Sequence, residues 1–144
     1  MFFQAIEHTA PLPADDARRV LALHSALILD TAPEEAFDRI TRVAAALFKV
    51  PIVLVSLVDA ERQWFKSKVG LEGAETARDI SFCGHAIVHD GPLIISDARE
   101  DARFSDNPLV TGPPFIRFYG GVPLRSVEGE AVGTSALSAP SGAY

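Results

Sequence analysis

The stretch Asp79-Ile-Ser-Phe-Cys-Gly-His-Ala-Ile87 holds the single cysteine of the chain, with a histidine two positions after it. Ser81 can cap a short helix that begins near Phe82, because its hydroxyl can accept a hydrogen bond from an unpaired amide of the first turn. The same helix start offers N–H donors and a partial positive charge to a ligand anion. The stretch therefore predicts one wall of a pocket, against which the neighbouring strands should be arranged.

Upstream of this stretch the sequence predicts a β-hairpin. Residues 52–58 form an apolar run, broken only by Ser56, that is rich in β-branched side chains and typical of a strand buried on both faces. Residues 63–69 alternate, which predicts a second strand with Trp64 near the rim of the pocket. Its two faces should carry Trp64, Lys66 and Lys68 on one side and Phe65, Ser67 and Val69 on the other.

Two helices are expected before this hairpin. Asp15 and Asp16 suit the positive end of a helix dipole, and apolar residues at helical spacing extend a first helix to about Leu29. Thr31 and Glu34 have the spacing of a capping box, which predicts the start of a second helix. This second helix should end before Pro51 and turn one apolar face inward, formed by Phe37, Ile40, Ala44, Leu47 and Phe48.

Shorter elements are expected downstream. A helix over 82–89 is followed by predicted strands over 93–96, 116–124 and 131–137, with turn sequences between them. Two helices, a hairpin, crossing segments and a returning hairpin predict one α+β domain around a mainly antiparallel sheet. Residues 1–13, which contain prolines and little periodicity, are predicted to be a flexible leader.

The composition limits the classes of partner. A formal net charge of −6 over 144 residues argues against a broad nucleic-acid footprint and against attraction to an anionic membrane. One cysteine cannot form an internal disulfide, which is compatible with a reducing compartment. The start lacks the pattern of a secretory signal, and the run at 52–58 is too short to cross a bilayer. We therefore expect a cytoplasmic protein that binds neither nucleic acid nor membrane.

An ordered series of short motifs extends from about Arg18 to Thr134. It consists of Ile28–Thr31, Phe37-Asp38, Ser56–Asp59, Arg62–Ser67, Ser81–Ile87, Asp97-Ala98, Asp101–Phe104, Asn107–Val110, Phe118–Leu124 and Gly133-Thr134. In this order and spacing the chain resembles a GAF domain, the sensory module related in architecture to PAS domains. It is similar to the bacterial branch found in front of histidine kinases and diguanylate cyclases.

The resemblance implies a GAF domain over residues 14–137, with a five- or six-stranded antiparallel sheet and helices on both faces. It also implies a small-molecule pocket covered by the segments around Cys83 and Arg103, and a homodimer formed through the terminal helices. A kinase or diguanylate cyclase is the output partner that it suggests. The match ends after Gly133-Thr134, so we expect a weakened final strand, no exit helix and an irregular tail over 138–144.

Cys83 and His85 are the first candidates for chemistry. A cysteine near a helix start can have a lowered pKa, so a redox thiol, a bilin anchor or a metal ligand are alternatives to a buried structural cysteine. GAF domains that reduce free methionine sulfoxide need a second thiol, which this chain lacks. Bilin-binding GAF domains of the phytochrome type have a histidine directly after the cysteine, where this chain has Gly84. Neither a bilin nor haem is favoured, and no metal site is predicted.

Arginine and aromatic side chains complete the candidate pocket. An arginine fork suits a carboxylate or phosphate, although nearby aspartates can equally hold the arginines in salt bridges. Aromatic side chains can line a ligand site or belong to the core. The predicted ligand-binding residues are Trp64, Phe65, Phe82, Cys83, His85, Asp97, Arg103, Phe104, Asn107, Arg117 and Tyr119.

Signatures of catalysis are missing from the sequence. It contains no nucleophile elbow, no phosphate-binding glycine loop and no kinase or cyclase motif. The motif of cyclic-nucleotide-binding GAF domains is also missing. The sequence therefore predicts a non-catalytic sensory module that binds an unidentified small molecule, forms a dimer, or does both. Two alternatives stay open: a thiol-dependent redox sensor or reductase that uses Cys83, and a ligand-free protein-interaction module.

Overall fold

The computed structural model describes residues 8–140. The α-helices in this range are α1 (Asp16–Ser25), α2 (Glu35–Phe48), α3 (Phe82–Ala86) and α4 (Pro108–Thr111). The strands are β1 (Ile52–Val58), β2 (Arg62–Val69), β3 (Glu75–Ala77), β4 (Leu93–Ile95), β5 (Phe118–Arg125) and β6 (Ala131–Ala139). Short 3₁₀ turns lie at Arg78–Ile80 and Ala98–Glu100.

The strands form one six-stranded sheet in the order β3-β2-β1-β6-β5-β4, and every neighbouring pair is antiparallel. This confirms the predicted α+β fold with an antiparallel sheet. The centre of the sheet requires a glycine at Gly133, because a Cβ there would lie 2.0 Å from the carbonyl oxygen of Ser56 on β1. The Gly133-Thr134 motif therefore belongs to the packing of β6 against β1.

Both faces of the sheet are covered by helices. The larger apolar cluster lies on the side of α3 and α4, where Phe82, Phe104 and Tyr119 are buried together. A smaller cluster on the other side joins Leu23 of α1 to Leu57 and Trp64. Because β1 contributes to both clusters, its continuous apolar run is the pattern expected of a strand buried on both faces.

A β-bulge changes the predicted faces of β2. Val55 pairs with Ser67, whereas the next residue, Ser56, pairs with Phe65, so Lys66 is the extra residue on β2. A bulge of this kind interrupts the alternation of side chains. Lys66 therefore contacts Thr31 in the segment that leads into α2, and Ser67 contacts Thr41 of α2 itself. The prediction that Ser67 shares the face of Phe65 is wrong.

The predicted capping box before α2 is also wrong. The N-cap is Glu34, and its side chain makes no capping hydrogen bond. The ammonium of Lys66 instead lies 2.7 Å from Thr31 Oγ1 and 2.6 Å from a carboxylate oxygen of Glu34, and its side chain is fully buried. The polar groups that could cap the helix thus anchor the α1–α2 connection to β2.

The apolar face predicted for α2 is largely exposed. Thr41 is the buried residue of this helix, and its hydroxyl lies 2.8 Å from that of Ser67. Phe37 and Ala44 are half-buried. The exposed fractions of the remaining apolar side chains are 54% for Ile40, 57% for Val43, 70% for Leu47 and 55% for Phe48.

The ends of the domain differ from the predicted boundaries. The helix α1 ends at Ser25, not near Leu29. The strand β6 extends to Ala139 because β1 and β5 pair with it on either side, so the expected weak strand and the tail boundary at 138 are wrong. In the predicted leader, Ala10 is buried and donates its N–H to Asp79 O at 3.0 Å. Residues 1–7 and 141–144 of the predicted leader and tail lie outside the described residues.

No helix within residues 8–140 combines the length and the apolar character needed to cross a bilayer.

Candidate ligand-binding site

A cavity of about 320 Å³ lies between the sheet and the chain that runs from α3 through α4 to β5. The exposed Glu72 and Pro113 place its mouth between the β2–β3 loop and the loop after α4. Most of its wall is apolar. The lining residues are Leu54, Gln63, Phe65, Leu71, Glu72, Thr76, Phe82, Cys83, Leu109, Pro113, Pro114, Ile116, Tyr119 and Ser138.

The start of α3 fixes one wall of this cavity. Ser81 is the N-cap, and its hydroxyl accepts from the N–H of Gly84 at 3.0 Å, which confirms the cap predicted from the sequence. Phe82 follows directly and stacks on Phe104 with a centroid separation of 4.2 Å. It also contacts the ring of Tyr119 at 5.2 Å. The aromatic wall is therefore held by both the helix cap and the core.

Cys83 presents a buried thiol at this wall. Thr134 Oγ1 donates to its Sγ at 2.8 Å, and the Tyr119 hydroxyl lies 3.3 Å from the same sulfur. Gly121 leaves room for that hydroxyl, since a Cβ there would lie 2.3 Å from it. Burial raises the pKa of the Cys83 thiol. The structure thus gives this cysteine the environment of a structural thiol and not the lowered pKa of a reactive one.

Gln63 brings the main polar group to the cavity. Its side chain is on the same strand face as Phe65 and is only 4% exposed. The amide nitrogen Nε2 donates to Thr76 Oγ1 at 3.0 Å. The amide oxygen Oε1 is buried without a hydrogen-bond partner. Buried acceptors are nearly always paired, so this unpaired oxygen is a candidate acceptor for a ligand donor that reaches it from the cavity.

The predicted arginines lie outside the cavity lining. Arg103 is bonded to Asp101, whose carboxylate it contacts at 2.8 Å and 3.0 Å. Arg99 is bonded in the same way to Asp97. Arg117 donates to backbone carbonyls at 2.9 Å and 3.1 Å. The structure therefore holds Arg103 and Asp97 in local ion pairs and bonds Arg117 to backbone carbonyls.

The other predicted residues fall into separate places. His85 is buried against Phe104 with a centroid separation of 4.5 Å, behind the aromatic wall. Asn107 caps α4 by accepting from the N–H of Leu109 at 2.9 Å. Trp64 is buried beneath α1, so its predicted place near the rim is wrong. Among the described residues, no cluster of three or more histidine, cysteine or acidic side chains could hold a metal ion.

The structure therefore brings Phe65, Phe82, Cys83 and Tyr119 of the predicted set to the cavity. Sequence reasoning missed Gln63, although its position two residues before Phe65 on the same strand places it on the same face. Glu72 and Pro113 lie in loops, and loop sequences have no side-chain periodicity from which their contact with the cavity could be predicted.

The family model of the GAF domain matches residues 32–143. The chain is also 40% identical over 126 residues to the cyclic di-GMP phosphodiesterase PA2567 of Pseudomonas aeruginosa. That match covers 88% of this chain but 22% of the relative, so the chain spans about a fifth of that protein.

Solved structures show the same fold at low sequence identity. The GAF domain of a phosphoenolpyruvate-protein phosphotransferase from Coxiella burnetii is 12% identical with a TM-score of 0.61, and the match covers 88% of this chain and 80% of that one. The free methionine-R-sulfoxide reductase of Neisseria meningitidis is 20% identical with a TM-score of 0.59, with coverage of 96% and 81%. At these identities the similarity establishes the architecture alone.

Proposed function

The chain belongs to the GAF domain family, and from that premise we propose that it is a non-catalytic sensory module of a bacterial signalling protein that binds a small ligand in the cavity behind Phe82 and Cys83. The observation that carries the proposal is the cavity itself. Its volume of about 320 Å³ lies at the lower end of the range for small-molecule sites. Its apolar wall with one unpaired buried acceptor, Gln63 Oε1, is the composition that such sites share.

The relationship to the Pseudomonas protein supports a regulatory role. That relative is named as a cyclic di-GMP phosphodiesterase, and this chain corresponds to 22% of its length. A sensory domain in such a protein would control an enzymatic output located elsewhere in the polypeptide or in a partner. We therefore propose an enzyme of second-messenger metabolism as the output, in place of a catalytic activity within this chain.

The burial of Cys83 supports the non-catalytic proposal over the thiol-dependent alternative. Thiol chemistry requires the thiolate, and burial raises the pKa of this group. The thiol is also engaged by Thr134 and Tyr119, which hold it inside the wall of the cavity. Cys83 then serves as a small apolar surface for a ligand.

Native mass spectrometry of the chain purified from its own host tests the ligand proposal. We expect an extra mass that is lost on denaturation. The substitution Leu109→Trp extends a half-buried side chain of the cavity wall into the cavity and should remove the extra mass. The matched control Leu21→Trp places the same side chain on α1, where Leu21 is 67% exposed, and should retain the extra mass.

Three results would contradict parts of this proposal. A bare wild-type mass argues against a retained ligand. An extra mass that persists in the Leu109→Trp variant places the bound molecule outside the cavity. A mass that survives denaturation would instead indicate covalent chemistry and favour the alternative based on Cys83.

The exposed face of α2 supports a second part of the proposal, a homodimer. Ile40, Val43, Leu47 and Phe48 recur at helical spacing on one face, and each is more than half exposed. Contiguous exposed apolar side chains mark interaction sites. A second copy of the chain is the occupant that we propose, because a two-fold axis beside α2 would cover the same four side chains on both copies.

The substitution Leu47→Glu tests this dimer. A carboxylate within the apolar face should raise the dissociation constant of the dimer at least about 100-fold, because it would be buried without a partner. The control Val127→Glu introduces the same charge at a fully exposed turn and should leave the dimer unchanged. Sedimentation velocity at several concentrations gives the measurement. A wild-type chain that sediments as a monomer throughout contradicts the proposed dimer.

A further inference from the structure

Resting on the proposed function of the cavity, we propose the chemical class of its ligand. The ligand is a compact, uncharged and mostly apolar molecule that carries one N–H or O–H donor, and Gln63 Oε1 accepts that donor. Three features of the cavity support this class: the charge of its lining, the orientation of the Gln63 amide, and the engagement of the Cys83 and Tyr119 side chains.

The charge of the lining disfavours an anion. Among the described residues that line the cavity there is no lysine or arginine, and the carboxylate of the lining residue Glu72 lies exposed at the mouth. The nearby guanidiniums of Arg103 and Arg117 are bonded elsewhere. An anion would therefore lose its hydration without gaining a cation, which is unfavourable in an apolar site. A cation inside the cavity would also lose its hydration without gaining an oppositely charged partner, because the carboxylate of Glu72 lies at the mouth.

The Gln63 amide is oriented by its own neighbours. The Thr76 hydroxyl donates to the carbonyl oxygen of Ala77 at 3.4 Å, so it accepts from Gln63 Nε2 at 3.0 Å. In the opposite amide orientation Gln63 Oε1 would face the Thr76 hydroxyl, which would have to leave the Ala77 carbonyl oxygen in order to donate to it. Oε1 is therefore the amide atom left unpaired in the buried space.

The polar groups of Cys83 and Tyr119 at the inner wall are already engaged. The Tyr119 hydroxyl and the Cys83 sulfur lie 3.3 Å apart, and Thr134 donates to the same sulfur. The unpaired acceptor of Gln63 thus stands against a wall formed by Phe65, Phe82 and neighbouring apolar side chains. A flat apolar molecule with one donor satisfies both the wall and the acceptor.

Matched probes test the class directly on the full chain. The probes are indole, which has an N–H donor, benzofuran, which has the same shape without the donor, and indole-6-carboxylate, which adds an anion. We expect indole to bind at least about tenfold more tightly than benzofuran, because benzofuran leaves the buried acceptor unpaired. We expect indole-6-carboxylate to bind more weakly than either. Isothermal titration calorimetry or saturation-transfer NMR gives the affinities.

The substitution Gln63→Met removes the amide acceptor and leaves a side chain of similar size in the cavity wall. The variant should bind indole and benzofuran with equal affinity, and its binding of benzofuran should be at least as tight as that of the wild type. Retained benzofuran binding also shows that the variant is folded and its cavity intact. The control Glu72→Gln should leave the ratio of indole to benzofuran affinities unchanged, because Glu72 lies at the exposed mouth.

The outcomes distinguish the two proposals. Equal binding of indole and benzofuran to the wild-type chain, or tighter binding of the carboxylate, overturns the ligand class and leaves the cavity as a binding site. A Gln63→Met variant that still prefers indole overturns the role of Gln63. Failure of all three probes to bind at millimolar concentration contradicts the ligand-binding function of the cavity and, with it, the ligand class.

Discussion

Replacing Asp16 with alanine is expected to lower the free energy of unfolding by about 3–5 kcal/mol, the cost of leaving a buried charge without its partner. Asp16 bonds two guanidiniums at once. One of its carboxylate oxygens lies 2.6 Å from Arg78 and 3.0 Å from Arg19, and its other oxygen lies 3.0 Å from Arg78. The side chains of Arg19 and Arg78 are almost fully buried.

The same cluster joins α1 to the sheet. Arg19 donates to the carbonyl oxygens of Val58 and Ala131, which end β1 and begin β6. Arg78 donates to the carbonyl oxygen of Asp59 at 3.1 Å. Hydrogen bonds from Arg78 hold the pKa of Asp16 below its usual value. This part of the stability is therefore fully present above about pH 4 and is lost as the pH falls through the pKa of folded Asp16.

Urea unfolding at neutral pH gives the measurement. The control Glu35→Ala removes an exposed carboxylate that pairs with Arg42, and it should change the midpoint little. Adding Arg78→Met to Asp16→Ala should recover part of the stability, because it removes one of the unpaired charges. An Asp16→Ala variant that loses less than about 1 kcal/mol contradicts the argument and would make the cluster equivalent to a surface ion pair.

Local sequence patterns predicted the elements of this fold well where the structure depends on residues that are neighbours in the chain. The short, β-branched run at 52–58 is typical of a buried strand, and it is β1. Ser81 predicted the start of α3 because the cap is a local interaction with Gly84. In both cases the residues that determine the structure are adjacent in sequence.

Local rules failed where a distant residue competed for the same groups. Thr31 and Glu34 fit a capping box, but the buried ammonium of Lys66 binds both of them. The alternation of β2 was interrupted by a bulge opposite Val55 and Ser56, which only the pairing with β1 reveals. These outcomes depend on which strand lies beside which helix, and that information is not in the local sequence.

The helix α2 shows a different limit of sequence patterns. Its apolar residues correctly indicated an amphipathic helix, but the pattern cannot state what the apolar face contacts. In the structure the helix packs on the sheet through half-buried and polar side chains, including Thr41, and exposes Leu47 and Phe48. The apolar face of an amphipathic helix can pack against the chain's own sheet or against another protein surface. The pattern alone does not say which of the two it contacts.

The candidate site was predicted in part for the same reason. Cys83 and His85 are close in sequence, and both are among the residues predicted to line the pocket. The short helix α3 directs Cys83 to the cavity, whereas His85 packs against Phe104 behind the aromatic wall. Because the two side chains point to different places, the imidazole of His85 does not face the cavity beside the thiol. The burial of His85 instead lowers its pKa.

The second large effect is a loss of stability in mild acid that depends on His85. Burial, together with the nearby Arg103 guanidinium, lowers the pKa of His85 to about 4, against the weaker opposing effect of Asp101. The unfolded chain binds a proton at this histidine below about pH 6.5, whereas the folded chain does not until about pH 4. The stability contributed by neutral His85 is therefore complete above pH 6.5 and is lost as the pH falls toward 4, by about 3 kcal/mol in total.

The substitution His85→Phe isolates this effect, because a phenyl ring can keep the contact with Phe104 and cannot be protonated. Unfolding free energies measured by urea denaturation should fall from pH 6.5 to 5 in the wild type and fall less steeply in the variant. Carboxylates remain ionised in both states over most of this range, so the difference between the two slopes reports His85. Imidazole chemical shifts should titrate near pH 4 in the folded wild type. A His85 resonance that titrates near pH 6.5, or equal slopes in the two proteins, would show that the folded domain admits a charged imidazole at this position.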